Sequence, residues 1–109
     1  MVKPKVNIVM PTWNALEYTK ITLSRLFEST KVPFTLTIID NASRKETIDF
    51  LKKIKSQGSC IKINKIFNQK NLGSGRAFNQ GWQISREEDI EFTCLINNDL
   101  YFSRGWLEA

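Results

Sequence analysis

Phe92, Thr93, Cys94, Leu95 and Ile96 form an apolar, β-forming run that reads as a buried strand and stops abruptly at Asn97, Asn98 and Asp99. Two amides and a carboxylate directly after a strand lie at its carboxyl end, the ligand-binding edge of open α/β sheets. Asp99 is the only acid near this end. A single carboxylate is enough in principle to hold Mg²⁺ or Mn²⁺ on a diphosphate, because phosphate oxygens and water supply the other ligands.

The same arrangement recurs earlier in the chain. Pro11, Thr12 and Trp13 follow an apolar run over residues 5–10, and Asp40, Asn41, Ala42 and Ser43 follow another over residues 34–39. Taken alone, residues 40–43 read better as a helix-capping turn. Gly73, Ser74, Gly75 and Arg76 open a further helix, where backbone amides face outward and Arg76 is close enough to meet a phosphate, a solvated arginine being the plain alternative. This loop lacks the third glycine of the dinucleotide fingerprint, having Phe78 in its place. Histidine is absent, which removes Ser-His-Asp and Cys-His catalysis and leaves no zinc ligand set. Cys60 and Cys94 lack metal-ligand spacing and read as small, reduced core residues.

These polar turns need elements to bring them together. Strands are expected over residues 5–10, 34–39, 61–67 and 92–96, the first stopped by Pro11, which cannot donate to a ladder. Between the first two, Asn14 with Glu17 forms a capping box for a helix reaching Ser29, whose apolar face carries Leu16, Leu23, Leu26 and Phe27. Ser43 with Glu46 forms a second box, for a helix running to Gln57 and stopped by Gly58. A third helix carries Ala77, Phe78, Trp82 and Ile84, and Ser103 begins a short one through Leu107. Strands alternating with helices force parallel pairing and right-handed crossovers, hence a doubly wound α/β sheet with helices on both faces. With strand order 3-2-1-4, a crevice opens between strands one and four. Pro11–Trp13 and Asn97–Asp99 then line it, with Asp40 beside them.

A chain of 109 residues is at most one domain with one core. It has no apolar run of membrane-spanning length and no leader pattern, which predicts a soluble, cytoplasmic protein. Sixteen Lys and Arg against eleven Asp and Glu give a formal charge of +5, favouring phosphate-bearing partners or the anionic inner face of a membrane. The basic residues are not gathered in one block with interleaved aromatics, so no nucleic-acid partner is expected.

Residues 6–14, ending in Met10-Pro11-Thr12-Trp13-Asn14, then Ile38-Ile39-Asp40-Asn41-Ala42-Ser43, then Asn71-Leu72-Gly73 with Asn79 and Gly81, then Leu95-Ile96-Asn97-Asn98-Asp99, together resemble the serial motifs of family 2 glycosyltransferases. The resemblance covers nearly the whole chain and is similar to rhamnosyltransferase-like and polysaccharide-building members. It implies the Rossmann-like GT-A fold and transfer of a sugar, with inversion, from a nucleotide diphosphate-sugar to a saccharide or lipid-linked acceptor. It further implies that Pro11, Thr12, Trp13, Asn14, Asp40, Asn71, Gly73, Arg76, Asn97 and Asn98 bind the nucleotide-sugar, and that Asp99 binds Mn²⁺ or Mg²⁺. Asn97 departs from the family's more common aspartate at the head of the Asp-X-Asp motif. The resemblance places the acceptor site and the base beyond Ala109, so residues 1–109 are expected to be the N-terminal, donor-binding part, inactive by itself and prone to self-association. A non-catalytic nucleotide-binding or interaction module is the alternative.

Overall fold

A computed structural model describes residues 6–97 and Leu107. Lys5, Asn98, Asp99 and the helix expected from Ser103 lie outside the described residues. In chain order the elements are β1 (Val6–Thr12), α1 (Leu16–Ser29), β2 (Phe34–Asn41), α2 (Lys45–Lys53), β3 (Cys60–Asn68), α3 (Ser74–Glu87) and β4 (Phe92–Leu95). The strands form one sheet in the order β3-β2-β1-β4, every pair parallel, as the alternation of strands and helices predicts.

Side chains alternate across the sheet and build two layers of unequal size. Ile8 and Met10 of β1 and Leu36 and Ile38 of β2 meet Leu23, Leu26 and Phe27 of α1 and Leu51 of α2 in the larger cluster. Val9 and Ile39, on the other face, meet Ala77 of α3 in a much smaller one. That second layer is completed by polar groups. Asn7 donates from Nδ2 to Gly81 O at 3.2 Å and to Ser85 Oγ at 2.8 Å, and its Oδ1 accepts from Thr37 Oγ1 at 2.7 Å. Thr93 Oγ1 donates to Ser85 Oγ at 2.7 Å, so Gly81 and Ser85 tie α3 to β1 and β4, and Asn7 extends the tie to Thr37 of β2.

Five expectations are corrected. β1 does not stop at Pro11: it runs on to Thr12, with Pro11 opposite Ile39 of β2. Val9 O accepts from Ile96 N, so Val9, and Pro11 two residues on, turn their backbone polar groups toward β4. The β1–β4 register ends at Val9↔Leu95, and no ladder bond is required of Pro11.

Neither capping box forms. Asn14 and Ala15 both have left-handed φ (54° and 53°), and α1 starts at Leu16 with no side-chain cap. Asn14 is drawn to the neighbouring loop, its N donating to Ser43 Oγ and its Oδ1 accepting from Arg44 N, each at 2.7 Å. Ser43 is occupied by Asp40 and Asn14, and α2 likewise starts without a side-chain cap. α2 also ends at Lys53, short of Gln57, since Ile54 already has an extended backbone. Lastly, β4 is not a buried strand: Phe92 is 58% and Leu95 51% exposed.

Candidate functional site

β1 and β2 each outrun their expected ends, and this shapes the carboxyl edge of the sheet. Thr12 pairs with Asp40, and Asn41 with Asn68 of β3. Because side chains alternate, Asp40 turns to the α1 and α2 face and Asn41 to the α3 face.

Asp40 is fully buried and is the hub of its side. Its Oδ1 accepts from Thr12 Oγ1 at 2.7 Å and Ser43 Oγ at 2.5 Å, and its Oδ2 accepts from Ser43 N at 2.9 Å. Ser43 Oγ in turn accepts from Asn14 N, so one carboxylate joins the end of β1, the β1–α1 turn and the β2–α2 turn.

On the α3 side lies a cavity of about 360 Å³ lined by Pro11, Thr12, Trp13, Asn41, Asn71, Gly73, Ser74 and Asn97. Four connections feed it: the ends of β1 and β2, the β3–α3 loop and the residues after β4. Trp13 is 57% exposed at its wall, leaving a ring face open to stacking. Gly73 adopts φ 83°, a left-handed value that a side chain disfavours, and nothing lies within 4 Å of the space a Cβ would take. Its N donates to Asn71 Oδ1 at 2.8 Å, which occupies the oxygen of that amide and leaves its amino group available. The first intrahelical bond of α3 runs from Ala77 N to Gly73 O, so the amides of Ser74, Gly75 and Arg76 precede it, and no side chain caps them. The cavity thus opens at the positive end of a helix, with the Ser74 amide and the Asn71 amino group on its wall, surroundings an anionic oxygen prefers.

Of the residues singled out from sequence, Pro11, Thr12, Trp13, Asn71, Gly73 and Asn97 come together here. Asp40 and Asn14 stand behind the wall, and Arg76 is exposed outside the lining. Asn98 and Asp99 lie outside the described residues. Asn41 and Ser74 are additional lining residues. The strand period could have found Asn41 had β2 been extended by two residues, for it must then oppose Asp40 across the sheet. Among the described residues no group of three or more His, Cys, Asp and Glu could hold a metal ion. A larger hollow, about 390 Å³, runs beside α3 and β4 between Phe78, Trp82, Arg86 and Phe92. It flanks the sheet, with exposed aromatic walls, whereas the smaller cavity sits at the strand ends where ligands bind in such sheets.

The structure is similar to the crystal structure of S. aureus TarS 1–349, with a TM-score of 0.78 and 20% sequence identity over 95% of this chain. This chain spans 30% of the length of that one. No curated protein sequence matches. The parallel sheet in the order β3-β2-β1-β4, flanked by helices, is the Rossmann-like arrangement of the GT-A fold. Residues 7–109 match the profile of Glycosyl transferase family 2, and with that match over nearly its whole length the chain belongs to this family.

Proposed function

We propose that the cavity binds a nucleoside diphosphate-sugar and that this chain is the donor-binding part of an inverting glycosyltransferase. The observation that carries the reading is the uncapped start of α3 at the strand ends, with the amino group of Asn71 and Trp13 on the same wall. A nucleoside diphosphate offers the complement, a flat base and oxygens that only accept. In the reaction a hydroxyl of a saccharide or lipid-linked acceptor attacks the anomeric carbon from the side opposite the diphosphate. The sugar–oxygen bond breaks with its electron pair passing to the leaving diphosphate, and configuration inverts. Backbone donors aimed at that diphosphate stabilise the charge it gains. Among the described residues of the lining none carries a titratable side chain, which suits binding and orienting the donor.

Asp99, two positions beyond Asn97 of the lining, is the residue that would hold Mn²⁺ or Mg²⁺, with diphosphate oxygens and water completing its shell. When bound, such an ion acts as a Lewis acid toward the leaving group. Asp40 supports the nucleotide from behind the wall, by holding Thr12 at the edge of the cavity. A charge of +5 favours work beside an anionic membrane surface, and among the described residues no helix is long and apolar enough to cross one. Titration calorimetry with uridine or thymidine diphosphate is the test. Binding should tighten with Mn²⁺ or Mg²⁺, and Asp99→Ala should remove that dependence. Equal affinity with and without the ion would sink the metal assignment, and no nucleotide binding at all would sink the donor site.

A further inference from the structure

Asn41 lines the cavity while only 3% exposed, and its amide is held between two partners that admit one orientation. Its Nδ2 donates to Gly73 O at 3.4 Å, and its Oδ1 accepts from Asn68 Nδ2 at 2.9 Å. A backbone carbonyl can only accept. Turning the Asn41 oxygen toward Gly73 would set two acceptors against each other, so the amino group stays on that side. The oxygen then faces Asn68 and requires a donor from it. Asn68 meets the demand with Nδ2, and its amide pairs with that of Gln80 of α3, Nδ2 to Gln80 Oε1 and Gln80 Nε2 to its Oδ1, both 2.9 Å, in the direction the Gly73 carbonyl sets. Asn68 spends both amino hydrogens, one on Asn41 and one on Gln80. Asn41 spends one on Gly73, which leaves the other.

We propose that Asn41 is a specificity-determining residue of this cavity, a donor locked in orientation by the Gly73 carbonyl and by an amide relay through Asn68 to Gln80, selecting ligands that place an acceptor oxygen beside it. This role rests on the donor-site reading above. The acceptor is either a keto oxygen of a uracil-type base or an oxygen of the diphosphate. Asn68 and Gln80 do not line the cavity and act as positioning residues.

Asn68→Asp tests the relay without altering the lining. A carboxylate at position 68 only accepts, so Asn41 can satisfy it solely by turning its amino group away from Gly73. Affinities of the wild-type chain and the variant for uridine diphosphate, cytidine diphosphate and inorganic diphosphate, all with Mg²⁺, are compared by calorimetry. Cytosine carries an amino group where uracil carries a keto oxygen. If the oxygen read by Asn41 belongs to the base, uridine diphosphate weakens at least tenfold while inorganic diphosphate is unaffected, and cytidine diphosphate weakens with it only where the oxygen is the C2 one that both bases carry. If it belongs to the diphosphate, all three ligands weaken at least tenfold together. Gln80→Ala, which removes only the far partner, moves the same quantity in the same direction and by less. If Asn68→Asp does not fold, Asn41→Ala removes the donor itself without adding charge and is read against the same three ligands. Unchanged affinities and ratios in a folded Asn68→Asp or Asn41→Ala, with the wild type binding nucleotide, overturn this role alone. A wild-type chain that binds none of the three ligands overturns the donor site and this role with it.

Discussion

Asp40 accepts three hydrogen bonds while exposing nothing to solvent, so its replacement reaches the ligand through the wall it organises. An asparagine that keeps its oxygen on the Ser43 amide must donate to the Thr12 and Ser43 hydroxyls, and the charge that strengthened all three bonds is gone. Asp40→Asn should weaken nucleotide binding by roughly 1.5–3 kcal/mol, the worth of a hydrogen bond to a charged group, as read by calorimetry. If urea unfolding shows lost stability but the affinity holds, Asp40 is a residue of the turn alone. Cys60, expected as a core residue, is 5% exposed, and burial pushes its thiol from 9.0 to about 11. The unfolded chain therefore loses this proton first as pH rises. Stability should be unaffected below about pH 9 and decline toward pH 11, by on the order of 3 kcal/mol. Urea midpoints for Cys60→Ala should decline less over that window, and parallel curves for the two proteins would refute the assignment.

Helix α3 supplies the donors of the site, and its seat on the sheet is set by one close approach. A Cβ at Gly81 would lie 2.3 Å from Val9 Cγ1, a distance real atoms do not keep. Gly81→Ala must lift α3 from β1 and stretch the bond from Asn7 to the Gly81 carbonyl. A loss of about 1–3 kcal/mol is expected by urea denaturation. Val9→Ala should recover part of it in the double variant, and strictly additive losses would show that the two side chains do not compete for this space. The element order, the parallel pairing and the place of β3 at an edge were all legible in the alternation of apolar runs. The starts of α1 and α2 were not. Asn14 and Ser43 are the residue types that cap helices, but each has a partner 29 or more positions away that outbids the local bond. A local motif cannot announce a distant competitor. The exposure of β4 escaped for a related reason, since an apolar run records what a strand is able to bury and not which neighbours cover it.

The two edges of the sheet differ in character. β3 carries Lys62 and Lys65, charges that discourage pairing with another strand, and Lys65 Nζ also donates to Lys52 O and Ile54 O at the end of α2. β4 has no such guard: Phe92 and Leu95, with Trp82 of α3 beside them, are each at least 50% exposed, and its outer edge is unpaired among the described residues. Leu107 packs against the larger core cluster, while Leu100, Tyr101, Phe102 and Trp106 lie outside the described residues. An apolar edge of this kind promotes association. Sedimentation of this chain should show dimers or larger species that dissociate on Leu95→Lys, and a clean monomer at high concentration would refute it. The strand order also sets a timetable for synthesis. β1 is made first yet stands between β2 and β4, so one of its sides has no neighbour until Leu95 has left the ribosome. At roughly 5–20 residues per second, that is a wait of several seconds. Asn7 shares it, since Ser85, which accepts from its amide, is translated 78 residues later. Until then that side of β1, with the apolar side chains of Ile8, Val9 and Met10 on its two faces, is open to wrong partners.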